Sequence, residues 1–125
     1  MGSRSLALLS LWVPVLAYMG AIFYFSSLSQ PPAPEGVSDK WLHALAYGGL
    51  ALVSLRAAAG GRWAGVTRGT LVAAWCIATA YGLTDEWHQM STPGRTPEWA
   101  DVGADALGAF AGAGAAWAWS IIRRL

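Results

Sequence analysis

The chain has 125 residues, of which 55% are hydrophobic and only 12% charged, with a formal net charge of +1. A soluble domain carries about 25% charged residues, so this composition excludes an ordinary soluble globule, and the lack of a basic patch excludes electrostatic nucleic-acid binding. With one cysteine, Cys76, an internal disulfide is excluded as well.

No charge occurs between Arg4 and Glu35, and the apolar stretch Leu6–Phe25 is 20 residues long. A helix needs about 20 apolar residues to cross a bilayer core, so a first span is predicted at 6–26, bent at Pro14. Arg4 ahead of an apolar run also suits a secretory signal. The run exceeds the roughly 7–15 residues of a signal core and no clean A-x-A site follows, so the segment is read as a retained span. Pro31, Pro32, Pro34 and Gly36 mark a loop over 27–37. A second span is predicted at 39–57, with Lys40 and Arg56 able to snorkel outward from its ends. Gly60 and Gly61 break it, and 62–68 is a short basic loop. The third span, 69–90, holds Cys76 as a small packing residue. Pro93, Gly94 and Pro97 mark the next loop, and a fourth span at 98–122 stops at Arg123 and Arg124. Four spans consume nearly the whole chain as one domain. The expected class is therefore an all-α membrane protein, a four-transmembrane-helix bundle.

Charge sign sets the orientation. Arg4, Arg56, Arg62, Arg68, Arg123 and Arg124 fall on one side of this arrangement, and only Lys40 and Arg95 on the other. Lys and Arg concentrate in cytoplasmic segments, so both termini are expected in the cytoplasm and the chain in the cytoplasmic membrane. All seven acids then lie at or just below the outer face: Glu35, Asp39, Asp85, Glu86, Glu98, Asp101 and Asp105. Trp41, Trp87 and Trp99 fall at the outer boundary, and Trp63, Trp117 and Trp119 at the inner one, as in an aromatic belt.

Helical spacing gathers the polar residues into stripes. Asp39, His43 and Tyr47 share a face of the second span. Tyr81, Asp85 and His88 share one on the third, with Gln89 alongside. Asp101, Asp105, Gly108 and Gly112 share one on the fourth. With about 1.5 Å rise per residue, Asp39 and Glu98 are interfacial, His43, Asp85 and Asp101 lie roughly 5 Å deeper, and Tyr47, Tyr81 and Asp105 roughly 10 Å deep. Exposing a charge to lipid at such depth costs about 2.5–3.5 kcal/mol, so these groups should face the bundle interior or a wet cavity. Gly108 and Gly112, a G-x-x-x-G pair, allow close helix approach on the same face.

Three readings of this cluster stay open. In the first it is structural: Lys40 and Arg95 pair with acids and the stripe fixes helix register, although two cations cannot neutralise so many carboxylates. In the second it holds a divalent metal such as zinc or manganese, on His43, Asp85, His88 and Asp101, or does metal-free acid–base work through His88 or His43, as in a membrane hydrolase. In the third it binds a ligand without chemistry. Asp85 and His88 are expected as the central pair, with His43 assisting. Asp39, Lys40, Tyr47, Tyr81, Glu86, Gln89, Arg95, Asp101 and Asp105 are expected to line the site, Arg95 on an anionic group such as a phosphate.

The stretches Asp39-Lys40-Trp41-Leu42-His43-Ala44-Leu45-Ala46-Tyr47 and Tyr81-Gly82-Leu83-Thr84-Asp85-Glu86-Trp87-His88-Gln89, then Pro93-Gly94-Arg95-Thr96-Pro97-Glu98-Trp99-Ala100-Asp101-Val102 and Asp105-Ala106-Leu107-Gly108, together resemble the VanZ-like family. This family of small multi-span membrane proteins is named for a teicoplanin-resistance protein, and the resemblance covers roughly residues 38–115. Asp105 stands where the family pattern often has Asn. The resemblance implies a bacterial cell-envelope role, with lowered glycopeptide susceptibility among the expectations. The expected partners are the lipid bilayer and a lipid-linked or cell-wall component, bound or modified; self-association into an oligomer is allowed.

Overall fold

Residues 2–125 are described in a computed structural model, and among them the sequence folds into four α-helices without a strand. These are α1 (Ser3–Ser26), α2 (Asp39–Ala58), α3 (Arg68–Gln89) and α4 (Trp99–Ile122), with one 3₁₀ turn at Trp63–Gly65. The predicted spans sit within three residues of these bounds. α1 starts earlier, at Ser3, because Gly2 opens the helix and the polar Ser-Arg-Ser start is as compatible with helix as the apolar run behind it. Pro14 lies within α1 without ending it.

Local chemistry explains each boundary. Ser38 caps α2, its hydroxyl accepting from the Lys40 N–H at 3.2 Å. Gly60 and Gly61 take positive φ, 65° and 72°, and the Gly61 N–H reaches back to the Arg56 carbonyl at 2.9 Å. That left-handed closure is one glycine adopts freely. Thr67 and Thr70 form a reciprocal capping box at the start of α3. Glu98 occupies the N-cap position of α4, with its own N–H satisfied by the Glu86 carboxylate at 3.0 Å.

The closest helix pair is α2 with α4. A Cβ added to Gly112 would stand 2.6 Å from the Gly48 carbonyl oxygen, and one added to Gly108 would collide with the Ala44 backbone. Two backbones meet there through small residues. Around this seam Tyr47, Leu50, Ala51, Ala74, Ala78, Ala109 and Ala113 form the enclosed core. α1 is peripheral: it buries only Val15, Ile22 and Ser26, and packs on α2 and α3.

α1 is the one described helix long and apolar enough to cross a membrane by hydropathy alone, and only 11% of its apolar window is buried. α2, α3 and α4 fall short of that measure because their polar stripes, glycines and tryptophans dilute it. Their outward faces still present Leu45, Val72, Leu83, Leu107 and Phe110. Cys76 is exposed on α3, so it does not serve the packing role expected from the sequence. It stands between the core positions Ala74 and Ala78 but is turned out of the bundle.

Candidate functional site

The first turns of α2 and α4 meet at Lys40. Its ammonium donates to Asp101 Oδ1 at 2.5 Å and to Glu98 Oε2 at 2.8 Å, and lies 3.9 Å from Asp39 Oδ2. One turn deeper on α2, His43 is 9% exposed. Its Nδ1 lies 2.7 Å from Oδ1 of Asp105, which is fully enclosed. Its Nε2 faces Asp39 Oδ2 at 3.6 Å and Asp101 Oδ2 at 3.8 Å. Gly82 of α3 makes room for Asp105: a Cβ there would stand 2.8 Å from Asp105 Oδ2.

The α3 stripe divides between two neighbours. Glu86 turns to α4, where its Oε2 accepts the Glu98 N–H. Asp85 turns to α1 and the cavity, accepting from the Ser26 hydroxyl through Oδ1 and from Gln89 Nε2 at 3.3 Å through Oδ2. Tyr81 donates its hydroxyl to the Met19 carbonyl at 2.7 Å. Below them Tyr47 is enclosed, its ring 6.5 Å from that of Tyr81. The hydroxyl of Tyr47, Oε1 of Glu86 and Oδ2 of Asp105 are buried without a hydrogen-bond partner among the described residues.

His88 does not join this cluster. Its ring stacks on Phe23 of α1 at 4.2 Å, and its Nε2 lies 2.9 Å from the Ser27 hydroxyl. The expected Asp85–His88 pair is therefore not formed; each residue instead binds a different serine at the end of α1. Nor does Arg95 pair with a carboxylate among the described residues. Its Nη1 donates to the Leu28 carbonyl at 3.2 Å. Sequence reasoning missed Ser26, Ser27 and Phe23 altogether. The two serines were the available signal, as adjacent hydroxyls closing a span that otherwise carries few polar groups.

A cavity of about 500 Å³ opens between α1, the proline-rich loop, α2 and α3. Tyr18, Ile22, Phe25, Leu42, Ala46 and Val37 give it an apolar wall. Its polar lining comes from Asp39, His43, Tyr47, Asp85, Gln89 and Arg95. Helix positions thus bring together Asp39, Lys40, His43, Glu86, Asp101 and Asp105 on one side, and Tyr47, Tyr81, Asp85 and Gln89 on the other. Arg95 also lines the cavity.

The VanZ/LLP1 family model matches residues 11–122. No curated protein and no solved structure matches the chain. The family match extends beyond the stretch that carries the sequence motifs: it begins in α1 at Leu11, takes in the Ser26 and Ser27 contacts and the whole polar cluster, and runs to the last residue of α4, so the chain belongs to the VanZ/LLP1 family.

Proposed function

We propose that the chain crosses the bacterial cytoplasmic membrane four times, with both termini in the cytoplasm, and that its cavity binds an amphiphilic, phosphate-bearing component of the cell envelope at the outer leaflet. The helices of 24, 20, 22 and 24 residues are about 30–36 Å long, matching a hydrocarbon core of about 30 Å. The ligand class follows from the mixed apolar and polar lining of the cavity. Its apolar wall suits a lipid chain, Arg95 suits a phosphate, and Asp39, Asp85 and Gln89 suit sugar or glycerol hydroxyls. His43, backed by Asp105, is the group placed to move a proton if the bound component is also modified. The teicoplanin association of the family's namesake makes glycopeptide susceptibility the phenotype to assay.

One observation carries this reading over a purely structural one. A stripe that only fixed helix register would have its polar atoms paired, as Lys40, Glu98 and Asp101 do. Among the described residues the Tyr47 hydroxyl, which lines the cavity, and Glu86 Oε1 and Asp105 Oδ2 of the neighbouring polar cluster are buried and unpaired. Register is already set by the glycine seam between α2 and α4.

The test is lipid analysis of the full chain extracted in mild detergent, wild type against Ala46→Phe, which fills the cavity, and Arg95→Ala, which removes its cation. Wild type should retain phosphate-bearing lipid through purification. Both variants should keep their thermal midpoint and lose that lipid by about tenfold, near 1.4 kcal/mol of affinity. Equal retention by wild type and Ala46→Phe would sink the proposal.

A further inference from the structure

We propose that Asp39 Oδ2, His43 Nε2 and Asp101 Oδ2 are the ligands of a divalent cation of the zinc or manganese class, with Asp105 orienting the imidazole. The proposal stands on the geometry around His43 and does not depend on the lipid reading.

Asp105 Oδ1 lies 2.7 Å from His43 Nδ1, so Nδ1 is the nitrogen engaged by the buried carboxylate and Nε2 is the one turned to Asp39 and Asp101. Ligating histidines characteristically donate their other ring N–H to a carboxylate in this way. The His43 side chain is nine-tenths buried, and its Nε2 makes no hydrogen bond among the described residues and is aimed between two carboxylates of different helices. Its separations from Asp39 Oδ2 and Asp101 Oδ2 are 3.6 and 3.8 Å. Those are too long for hydrogen bonds, which run about 2.7–3.2 Å. They suit two atoms bound to one ion: ligands about 2.0–2.2 Å from a tetrahedral zinc lie roughly 3.4 Å from each other.

Lys40 does not close the site. It engages Asp101 through Oδ1 and Glu98 through Oε2, leaving Asp101 Oδ2 turned to His43. The charge balance favours a divalent ion over an imidazolium. Asp39, Glu86, Glu98, Asp101 and Asp105 gather around a single ammonium, and an ion supplies two positive charges where a protonated His43 would supply one. Asp39 and His43 also line the cavity, so the remaining coordination position opens toward whatever the cavity holds. A site with three protein ligands and one open position is the arrangement of catalytic rather than structural zinc.

The grouping His43, Glu86 and Asp105 also lies within ligand range. It would draw on the unpaired Glu86 Oε1 and Asp105 Oδ2, but neither residue lines the cavity, whereas Asp39 and His43 both do. Asp85 and His88, expected as ligands from the sequence, leave the donor set because both are turned to the serines of α1.

The experiment uses the full chain in mild detergent, purified without chelators, for elemental analysis. It is then stripped with EDTA and titrated with zinc, manganese and cobalt, following the thermal midpoint and, for cobalt, the visible d–d absorption. Wild type should bind one ion per chain with a raised midpoint and a cobalt spectrum of mixed N/O ligands. Asp39→Asn, at an exposed first-turn position, should stay folded and bind at least about tenfold more weakly, and Asp105→Asn roughly 10–100-fold more weakly. Arg95→Ala, which tests the lipid reading, should bind metal as wild type does, so the two proposals fail separately. A folded, stripped protein that binds none of the three ions at about 100 µM overturns the proposal, as does Asp39→Asn binding with wild-type affinity; either result would make the His43 cluster an ion-pair network only.

Discussion

Asp105 sits at the centre of the polar cluster with no exposed surface, and its two oxygens have different fates: Oδ1 meets His43 and Oδ2 meets nothing. A buried acceptor left without a partner costs about 1–3 kcal/mol. Asparagine would keep the acceptor for His43 and replace the unpaired oxygen by an uncharged amide. The amide NH₂ is as unpaired there as the oxygen it replaces, but the substitution removes an enclosed negative charge from among other acids, so Asp105→Asn, stripped of metal, should unfold in detergent at a higher midpoint than wild type, by the equivalent of about 1 kcal/mol. Asp101→Asn should do the opposite and lose about 1 kcal/mol, because it breaks a charge-assisted hydrogen bond between the half-exposed Lys40 and a buried carboxylate and leaves Lys40 with the exposed Glu98. Equal losses in both would mean that Oδ2 of Asp105 is paired in the working protein. Much of this cluster was legible from spacing alone, since Asp39 and His43, and Asp101 and Asp105, each stand four residues apart on one face. The roles of Asp85, Glu86 and His88 were not. Positions three apart on a helix still differ by about 60° around its axis, enough to point Asp85 into the cavity and His88 onto Phe23. The pair that looked most catalytic was therefore the pair that the packing separates.

At the scale of the helices, charge gaps, prolines and glycines marked all four elements to within three residues, because each boundary has its own local cause. Which helices touch was legible only in part. The G-x-x-x-G pair pointed to α4 as a packing helix, but its partner surface, Ala44 and Gly48 of α2, has no equally distinct pattern. α1 carries the strongest apolar signal and is the least buried, since an apolar all-round helix is satisfied by lipid as well as by protein. The seam makes a sharp prediction. Gly108→Ala puts a methyl into the Ala44 backbone, which cannot give way as a side chain would, and should cost about 1–3 kcal/mol. Gly114, on the same helix, has nothing within 4 Å of an added Cβ, so Gly114→Ala should be neutral or gain up to about 1 kcal/mol. Matched unfolding curves in one detergent compare the two; similar effects at both positions would mean that the seam is not what holds α2 to α4.

Over the whole molecule, the two ends are built from different chemistry. At one end the acids converge on Lys40 and His43, with Trp41, Trp87 and Trp99 exposed around them. At the other, arginines grip carbonyls and rings. Arg123 lies over Trp63 at 5.2 Å and Arg68 over Trp117 at 5.8 Å, Arg124 donates to the Trp63 carbonyl at 3.0 Å, and Arg56 to that of Ser10 at 3.3 Å. Under the proposed topology these cation–π contacts and carbonyl hydrogen bonds would hold the arginines at the level of the lipid headgroups on the cytoplasmic side. The orientation has a direct test in cells. In a Cys76→Ala background, which removes the outward-facing thiol of α3, Ala64→Cys sits in the basic loop and Ser91→Cys in the acidic-end loop, both at exposed positions. Ser91 is a better probe than Gly94, whose φ of 78° a cysteine would strain. A membrane-impermeant maleimide should label the Ser91→Cys variant in intact cells and the Ala64→Cys variant only after permeabilisation. Labelling of both from outside would mean that the acidic cluster and the arginine end share a face, and would remove the outward-opening cavity on which the lipid reading depends.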